Sequence, residues 1–360
     1  MAPPPGYLAA RFGAAPGVTE DAWIVTSVSG PTARGALSEG RRTAGLIDRR
    51  NRGRLVASGR DRASYLHGML TNDILALKSG QGCYACYLTA QGRMISDMWV
   101  FELGDVMLLT LPAATRATVL AKLDQFVFSE DVQLGDLTET LTSIAVAGPS
   151  AAVLLSEVLD GATPSALDLP EGGNCRASFK GEVAIVLRPG DLGVPAYEVL
   201  VDTSMDAALR ERLHDAGAVD VLSEAADVLR VEGGIPLFGV DMDEDTIPLE
   251  AGIESRAISL TKGCYVGQEV IIRVLHRGHG RVARKLVGLS IEGSQMPVVG
   301  ASIYSGAEMH DIGRVTSAVW SPALRRVIAL GYVHRDAATA GTQLLLAGAP
   351  AVVTALPFVA

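Results

Sequence analysis

The residues best suited to chemistry lie in the segment 262–281, which begins K-G-C-Y-V-G-Q-E and continues with several basic side chains. Cys264 is a nucleophile as its thiolate, and Lys262 supplies nearby positive charge that favours loss of the thiol proton. Gly263 and Gly267 would let the backbone approach a ligand or another surface closely. A second interpretation stays open, in which the segment is a basic surface loop between two domains and the cysteine is incidental.

Two other patterns resemble metal sites but lack ligands. Cys83 and Cys86 form a lone C-x-x-C pair, whereas a tetrahedral site needs two more ligands, so small buried apolar side chains are the better interpretation. The acidic run 241–245 has alternating aspartates, but Thr246 stands where a calcium loop needs glycine and Gly252 where it needs glutamate. We therefore expect no resident metal.

The bulk composition narrows the class of protein. A net charge of −9 argues against general nucleic-acid binding, which requires clustered Lys and Arg. The N-terminus lacks the basic start and apolar run of a secretory signal, and no apolar stretch approaches the roughly 20 residues of a membrane-spanning helix. Four cysteines in 360 residues do not indicate a disulfide framework. These features predict a reduced, cytoplasmic, globular protein.

Hydrophobic patterning predicts the elements that must position these residues. Apolar residues at helical spacing predict helices over 61–70, 114–127 and 205–216. Apolar runs bounded by turn residues predict strands over 94–101, 105–111, 143–149, 182–188 and 197–201. Antiparallel hairpins that alternate with helices indicate an α+β class.

The two ends of the chain differ from this pattern. Residues 1–20 are rich in Pro, Gly and Ala without periodicity, which predicts a loose arm. From about residue 283 the sequence consists of short apolar runs broken by Gly and Pro, typical of a small β-barrel or sandwich. We therefore predict a domain boundary near residue 280.

The string 262–269 resembles the K-G-C-Y/F-x-G-Q-E signature of YgfZ-type proteins, bacterial relatives of a mitochondrial iron–sulfur assembly factor. Other blocks resemble the wider superfamily that includes the glycine-cleavage T-protein, an aminomethyltransferase: 66–74, 82–97, 144–149, 196–199, 229–236 and 247–252. The resemblance implies an α+β protein built as a three-domain ring around a central folate pocket, with two ferredoxin-like domains and a C-terminal β-barrel. The implied divisions are 1–55 together with 138–280, then 56–137, and finally 281–360.

The resemblance also implies a tetrahydrofolate site. Asp97 matches the T-protein's functionally important aspartate and could hydrogen-bond to or protonate a folate nitrogen. Glu198 matches the glutamate that reads the pterin ring, since a carboxylate can accept two hydrogen bonds from an amino-pyrimidine edge. Both could instead be exposed strand residues. The predicted catalytic set is Cys264, Lys262 and Asp97, and the predicted folate-binding set is Asp97, Glu198, Asn72, Tyr84, Arg230, Tyr265, Gln268 and Glu269.

Departures from the T-protein weaken the case for amine and methylene transfer. Ser96 replaces the first carboxylate of its Asp-Asp pair. An arginine of a later block is replaced within 225–227, and a polar asparagine after the third strand falls within 111–113, which reads Leu-Pro-Ala. The T-protein counterpart of 262–269 carries no cysteine. Arg230 fits a superfamily block and could serve either the ligand or the fold.

The sequence is compatible with three functions. The first is a tetrahydrofolate-binding accessory protein for iron–sulfur cluster assembly or repair, with Cys264 essential and iron–sulfur proteins or their assembly machinery as partners. The second is an aminomethyltransferase that acts with a lipoyl carrier protein and tetrahydrofolate. The third is a folate-free scaffold that uses the fold only for protein contacts. We expect no membrane and no direct nucleic-acid binding, and the resemblance implies a monomer.

Overall fold

The strands and helices are taken from a computed structural model that describes residues 44–163, 165–276, 281–305, 310–346 and 348–359. The predicted arm at 1–20 lies outside the described residues, as do residues 277–280 of the basic segment. The strands are β1 Ala44–Asp48, β2 Arg52–Ser58, β3 Gly82–Leu88, β4 Met94–Glu102, β5 Met107–Pro112, β6 Gln133–Asp136, β7 Leu141–Ala147, β8 Asn174–Phe179, β9 Glu182–Leu187, β10 Ala196–Asp202, β11 Ala218–Val221, β12 Arg284–Ile291, β13 Ser302–Ser305, β14 Asp311–Ser321, β15 Arg326–His334, β16 Gln343–Leu346 and β17 Ala349–Thr354. The helices are α1 Arg62–Met69, α2 Arg116–Asp124, α3 Ala151–Val158, α4 Asp206–Asp215, α5 Ser223–Glu232, α6 Pro248–Ala251, α7 Glu254–Ala257 and α8 Gln268–His276.

A six-stranded sheet has the order β11-β1-β7-β10-β9-β8. Its pairs are antiparallel except β1 with β11. Leu154 of α3 and Leu209 and Leu213 of α4 are fully buried against the apolar face of the sheet. The predicted strands over 143–149, 182–188 and 197–201 and the predicted helix over 205–216 are confirmed, because their apolar residues do form one core.

A five-stranded antiparallel sheet has the order β3-β4-β5-β2-β6. Helices α1 and α2 cover one face and bury Leu66 and Leu123 there. The opposite face places Tyr84 and Trp99 in a core that it shares with Leu200 of the six-stranded sheet and with residues of α6 and α7. The two sheets therefore meet at β3 and β4, the strands that carry Tyr84 and Asp97.

The C-terminal strands form a closed barrel in the order β12-β15-β14-β13-β16-β17, with β17 pairing back to β12. Alternate residues of these strands fill the barrel interior, among them Leu289, Ile303 and Val353. The predicted α+β class with a C-terminal β-barrel is confirmed. Among the described residues, no helix combines the length and apolar character needed to cross a membrane.

The first predicted domain boundary, at residues 55–56, lies inside a strand of the structure. Strand β2 spans the predicted boundary at 55–56 and pairs with β5 and β6 of the five-stranded sheet. We propose that the division lies between β1 and β2, at residues 49–51, because a strand belongs with the partners that satisfy its backbone hydrogen bonds.

Helix α5 is joined to the residues that follow it and to the barrel through a buried ion pair. Arg230 Nη1 donates to Asp241 Oδ2 at 2.6 Å and Nη2 donates to Ser317 Oγ of β14 at 2.9 Å. Asp241 also accepts from Ser317 Oγ at 2.7 Å and from the Leu237 amide at 3.0 Å. The side chain of Asp241 is fully buried, so Arg230 neutralises a charge that water does not reach.

Replacing Arg230 with Met should lower the free energy of unfolding by about 3–5 kcal/mol, because it leaves Asp241 as a buried charge without its cation. Urea titration measures this loss. Asp227→Asn is the matched control: Asp227 pairs with the same arginine, but its side chain is 44% exposed, so its loss should cost less than about 1 kcal/mol. Equal losses in the two variants would contradict the assignment.

Candidate functional site

A cavity of about 130 Å³ lies where the two sheets and α5 meet. Its wall is formed by the β1–β2 connection, by β3 and β4, by the turn after β9, by α5 and the residues after it, and by α7. Of the predicted site residues, Asp97, Tyr84 and Arg230 line this cavity. The wall is both charged and aromatic, which suits a polar ring-shaped ligand.

Asp97 is buried rather than exposed at the start of a strand. It faces Cys86 across the β3–β4 pairing, and two residues along β3 the Tyr84 hydroxyl donates to Asp97 Oδ2 at 2.7 Å. Oδ1 has no hydrogen-bond partner among the described residues. Burial raises the pKa of Asp97, although Arg52 and the Tyr84 hydroxyl act against that rise. The result is a carboxyl that holds a proton more readily than usual, with one oxygen available to a ligand.

Two donors in the same wall also lack partners. Arg52 is buried and donates through Nη2 to the Thr110 carbonyl oxygen at 2.9 Å, but its Nε has no partner among the described residues. Trp99 Nε1 is likewise buried and unpartnered. Because an unmade hydrogen bond in a buried place costs about 1–3 kcal/mol, this wall is prepared for a ligand that offers both donors and acceptors.

A third group of charges surrounds Arg49, which lines the cavity. Arg49 Nη2 donates to Asp191 Oδ2, and Arg49 Nε lies 3.6 Å from Glu198 Oε2. Burial acts to raise the pKa of Asp191, but Arg49 and Arg52 together lower it. Glu198 is fully buried, accepts a hydrogen bond from Ser143 Oγ at 2.5 Å, and does not itself line the cavity.

Arg256 of α7 closes one side of the cavity. Its guanidinium lies 5.5 Å from the centre of the Tyr84 ring and 6.0 Å from that of Trp99, within the range of cation–π attraction. It also donates to Glu171 Oε1 at 2.8 Å and to the Gly190 carbonyl oxygen at 2.9 Å. These contacts hold the two aromatic rings and the turn after β9 together.

Lys262 binds backbone carbonyl groups at the C-terminal end of α1 and in the residues that follow it. Its ammonium group donates to the carbonyl oxygens of His67, Leu70 and Asn72, which uses all three of its protons. Burial lowers the pKa of Lys262 to about 8, with a nearby aspartate acting in the opposite direction. Cys264 is exposed and is not among the described contacts of this ammonium group. The predicted activation of Cys264 by Lys262 therefore stays a prediction without support from these contacts.

The remaining predicted binding residues lie away from the cavity wall. Asn72 Nδ2 donates to the carbonyl oxygens of Tyr84 at 2.8 Å and Arg256 at 2.9 Å, so it supports two cavity residues from behind. Tyr265 is buried in the shared core, where burial raises its pKa to about 12. Gln268 begins α8 and is partly buried, and Glu269 follows it on the surface.

The C-x-x-C pair does not form a metal site. Cys86 is buried within one core and Cys83 packs against another, as expected for residues three apart on a strand, whose side chains point to opposite faces. Burial raises the pKa of the Cys83 thiol to about 12. Within the described ranges, no group of three His, Cys, Asp or Glu side chains could hold a metal ion.

Two family models match this chain. The GCVT N-terminal domain matches residues 33–262, and the glycine cleavage T-protein C-terminal barrel domain matches residues 284–359. The chain belongs to the glycine cleavage T-protein family. These matches do not distinguish a YgfZ-type protein from other members of the family.

Individual relatives agree with this membership. An aminomethyltransferase of Rubrobacter xylanophilus is 35% identical over 324 residues, which cover 88% of this chain and 84% of the relative. An aminomethyltransferase of a Nostoc species is 31% identical over 332 residues, which cover 88% and 85%. The crystal structure of the glycine cleavage system aminomethyltransferase T from Bartonella henselae has a TM-score of 0.79 at 26% identity, over 89% of this chain and 87% of that one.

Several cavity residues of this T-protein family member were not predicted from the sequence. They are Arg49, Arg52, Trp99, Asp191 and Arg256. The one available signal was the density of arginine in D-R-R-N-R-G-R at 48–54, directly after an apolar run. Such a run usually lies in solvent, yet three of its arginines are at most 7% exposed. A buried arginine implies a buried anionic partner or ligand.

The opposite pKa shifts of Asp97 and Asp191 give a stability test. Ionising Asp97 costs more in the folded protein than in the unfolded chain, because burial raises its pKa. This cost is absent at low pH and grows as the pH rises through the folded-state pKa. Asp97→Asn should therefore be more stable than the native protein at pH 7–8, by about 1.4 kcal/mol for each unit of the raised pKa, and the gain should shrink towards pH 4.

Asp191→Asn is the matched control for that measurement. Because its arginine neighbours lower the pKa of Asp191, the ionised form stabilises the fold at neutral pH. The variant should lose stability there, and the loss should shrink as the pH falls through the lowered pKa. Urea titrations between pH 4 and 8 measure both variants, and shifts of the same sign would refute the two assignments.

Proposed function

We propose that this protein binds a reduced folate in the cavity and carries out one-carbon transfer of the aminomethyltransferase kind. The observation that carries the proposal is Asp97, a buried carboxyl with a raised pKa and one unpartnered oxygen, at the position that resembles the T-protein aspartate. Membership of the T-protein family and relatives named aminomethyltransferase support the same choice.

The residues present fit a reduced folate. Asp97 Oδ1 can accept from or donate to a ligand nitrogen, and Trp99 Nε1 and Arg52 Nε can donate to ligand oxygen or nitrogen atoms. The Tyr84 and Trp99 rings, with centroids 5.6 Å apart, provide an aromatic surface beside these polar atoms. Bound tetrahydrofolate would supply the nitrogen atoms that accept a one-carbon unit.

The protein's own contribution is to hold and move a proton. Because burial raises the pKa of Asp97, its carboxyl can give a proton to a ligand nitrogen or take one back more readily than an ordinary carboxyl. The Tyr84 hydroxyl fixes Oδ2 and leaves Oδ1 for this exchange. The positive charge of Arg52 acts on the same carboxyl and keeps its ionised form accessible.

The test is turnover of an aminomethylated lipoyl carrier protein with tetrahydrofolate, measured as release of ammonia. Asp97→Asn should lower kcat about 100- to 1,000-fold, since it removes the exchangeable proton, and should change tetrahydrofolate affinity in calorimetry much less. Asp336→Asn on the barrel, whose side chain is 77% exposed, is the control. Absence of turnover in the native protein would remove the transferase proposal but leave folate binding to calorimetry.

A second candidate function is support of iron–sulfur cluster assembly or repair, with tetrahydrofolate as ligand. The observation that favours it is the exposure of Cys264 on a loop that Lys262 and Tyr265 anchor to the protein. A thiol displayed in this way can reach a partner such as an iron–sulfur protein or its assembly machinery. A monomeric, cytoplasmic protein is part of the same proposal.

Cys264→Ala tests this second function. In cells that lack the native protein, the variant should fail to restore iron–sulfur enzyme activity, while tetrahydrofolate binding by the purified variant stays unchanged because Cys264 lies outside the cavity wall. Cys175→Ala is the control, since Cys175 is partly buried against the core of the six-stranded sheet. Full restoration by Cys264→Ala would exclude the role.

A further inference from the structure

Two clefts border the cavity, and both are larger than it. The cavity encloses about 130 Å³, whereas the clefts enclose about 370 and 510 Å³. Pockets that bury a drug-sized ligand measure roughly 300–1,000 Å³, so the cavity has room for only part of such a ligand. The first cleft lies beside the turn after β9, and the second lies between α6 and strands β12 and β17 of the barrel. A drug-sized ligand in the cavity therefore needs some of this neighbouring space.

Two of the described residues, Arg256 and Ile235, line the cavity and both clefts. Ile235 is fixed, because its amide donates to the Arg230 carbonyl oxygen at 3.0 Å and its own carbonyl oxygen accepts from Arg230 Nη1 at 2.8 Å. The main chain of Arg256 is also fixed, since its amide donates to the Ile253 carbonyl oxygen at 3.1 Å and its carbonyl oxygen accepts from Asn72 Nδ2 at 2.9 Å. The long side chain of Arg256, which is 35% exposed, is the part of this partition that can move.

The Arg256 side chain is held over the cavity by individually weak contacts. Nη2 donates to Glu171 Oε1 and to the Gly190 carbonyl oxygen, and the guanidinium lies against the rings of Tyr84 and Trp99. The side chain of Glu171 is 57% exposed, so water and salt screen its ion pair with Arg256. Loss of this one ion pair should therefore let the Arg256 side chain leave the partition more often.

We propose that Arg256 is a gate between the cavity and the two clefts, and that its ion pair with Glu171 holds the gate shut in the free protein. The inference rests on the proposed binding of a reduced folate, which is a drug-sized ligand. When the Arg256 side chain turns away, the cavity and the clefts become one continuous space and the Trp99 ring loses its cover. The ion pair opposes binding, because a ligand that requires the open state binds in proportion to the fraction of open molecules.

The exposure of Trp99 measures gate opening without any ligand. Trp23→Phe and Trp320→Phe leave Trp99 as the only tryptophan, and acrylamide quenching of its fluorescence then reports how often a small solute reaches the ring. In this background Glu171→Gln should raise the quenching constant about 2- to 5-fold, the range of an exposed ion pair. Raising the salt concentration from about 0.05 M to about 0.5 M should raise the constant when Glu171 is present, since salt screens the pair, but not in Glu171→Gln.

Two further variants separate the gate from a general loosening of the fold. A Cβ at Gly190 would collide with the carboxyl group of Glu171, so Gly190→Ala should raise the quenching constant as Glu171→Gln does, with no further effect when the two are combined. Asp105→Asn is the matched control, because Asp105 and Arg176 form an ion pair with side chains 65% and 50% exposed, and neither lines the cavity. If Asp105→Asn raises the constant as much as Glu171→Gln, or Glu171→Gln leaves it unchanged, the gate assignment is wrong.

Binding kinetics supply a second measurement. Stopped-flow mixing with 5-formyltetrahydrofolate should show association about 2- to 5-fold faster in Glu171→Gln than in the native protein, and calorimetry should show binding tighter by the same factor. A merely structural role for the ion pair would weaken binding, so tighter binding is the distinguishing result. Association that is unchanged or slower in the variant would overturn the inference.

The gate and the proposed function fail in different ways. If the native protein binds 5-formyltetrahydrofolate but Glu171→Gln changes neither quenching nor association, the gate is wrong and folate binding stands. If the native protein does not bind this probe but quenching rises in Glu171→Gln, the folate function is wrong and the gate serves another ligand. Thermal melts of each variant show that the comparison is made on folded protein.

Discussion

The mutual influence of four ionisable side chains, three of them buried, controls this site. Arg49 and Arg52 meet Asp97 and Asp191 in one cavity wall, where a single unpaired ion would cost several kcal/mol. The neutralisation is unequal: both arginines act on Asp191, whereas only Arg52 acts strongly on Asp97. Burial raises the pKa of both carboxyls, and the arginines outweigh burial only at Asp191, so the pKa of Asp97 is raised and that of Asp191 is lowered.

Helix α5 connects the barrel to this wall. Arg230 lines the cavity and also binds Asp241 and Ser317 at the barrel surface. Glu232, at the end of the same helix, accepts from Ser321 Oγ of β14 at 2.5 Å. Because the barrel holds α5 in this way, it fixes one side of the cavity even though none of its strands lines it.

The segment 262–269 combines architectural residues with one chemically reactive side chain. Lys262 binds the end of α1, and Tyr265 is buried. Gly267 has a φ of +84°, and a Cβ there would lie 2.4 Å from the Thr89 carbonyl oxygen, at the turn between β3 and β4. Much of the eight-residue pattern is therefore explained by docking of the loop, and this docking leaves Cys264 as the exposed thiol.

The sequence by itself predicted several of the strands and helices, the C-terminal barrel and a candidate role for Asp97, because these follow from local periodicity and from resemblance over short blocks. Tyr84 and Asp97 both lie in the block 82–97 that resembles the superfamily, and the structure places them on adjacent strands of one hairpin. Only the tertiary structure decided that Arg49 meets Asp191, which is 142 residues away, and that Lys262 binds α1 rather than Cys264. Such contacts depend on sheet order, which places β1 between β11 and β7, and no local pattern of residue types encodes that order.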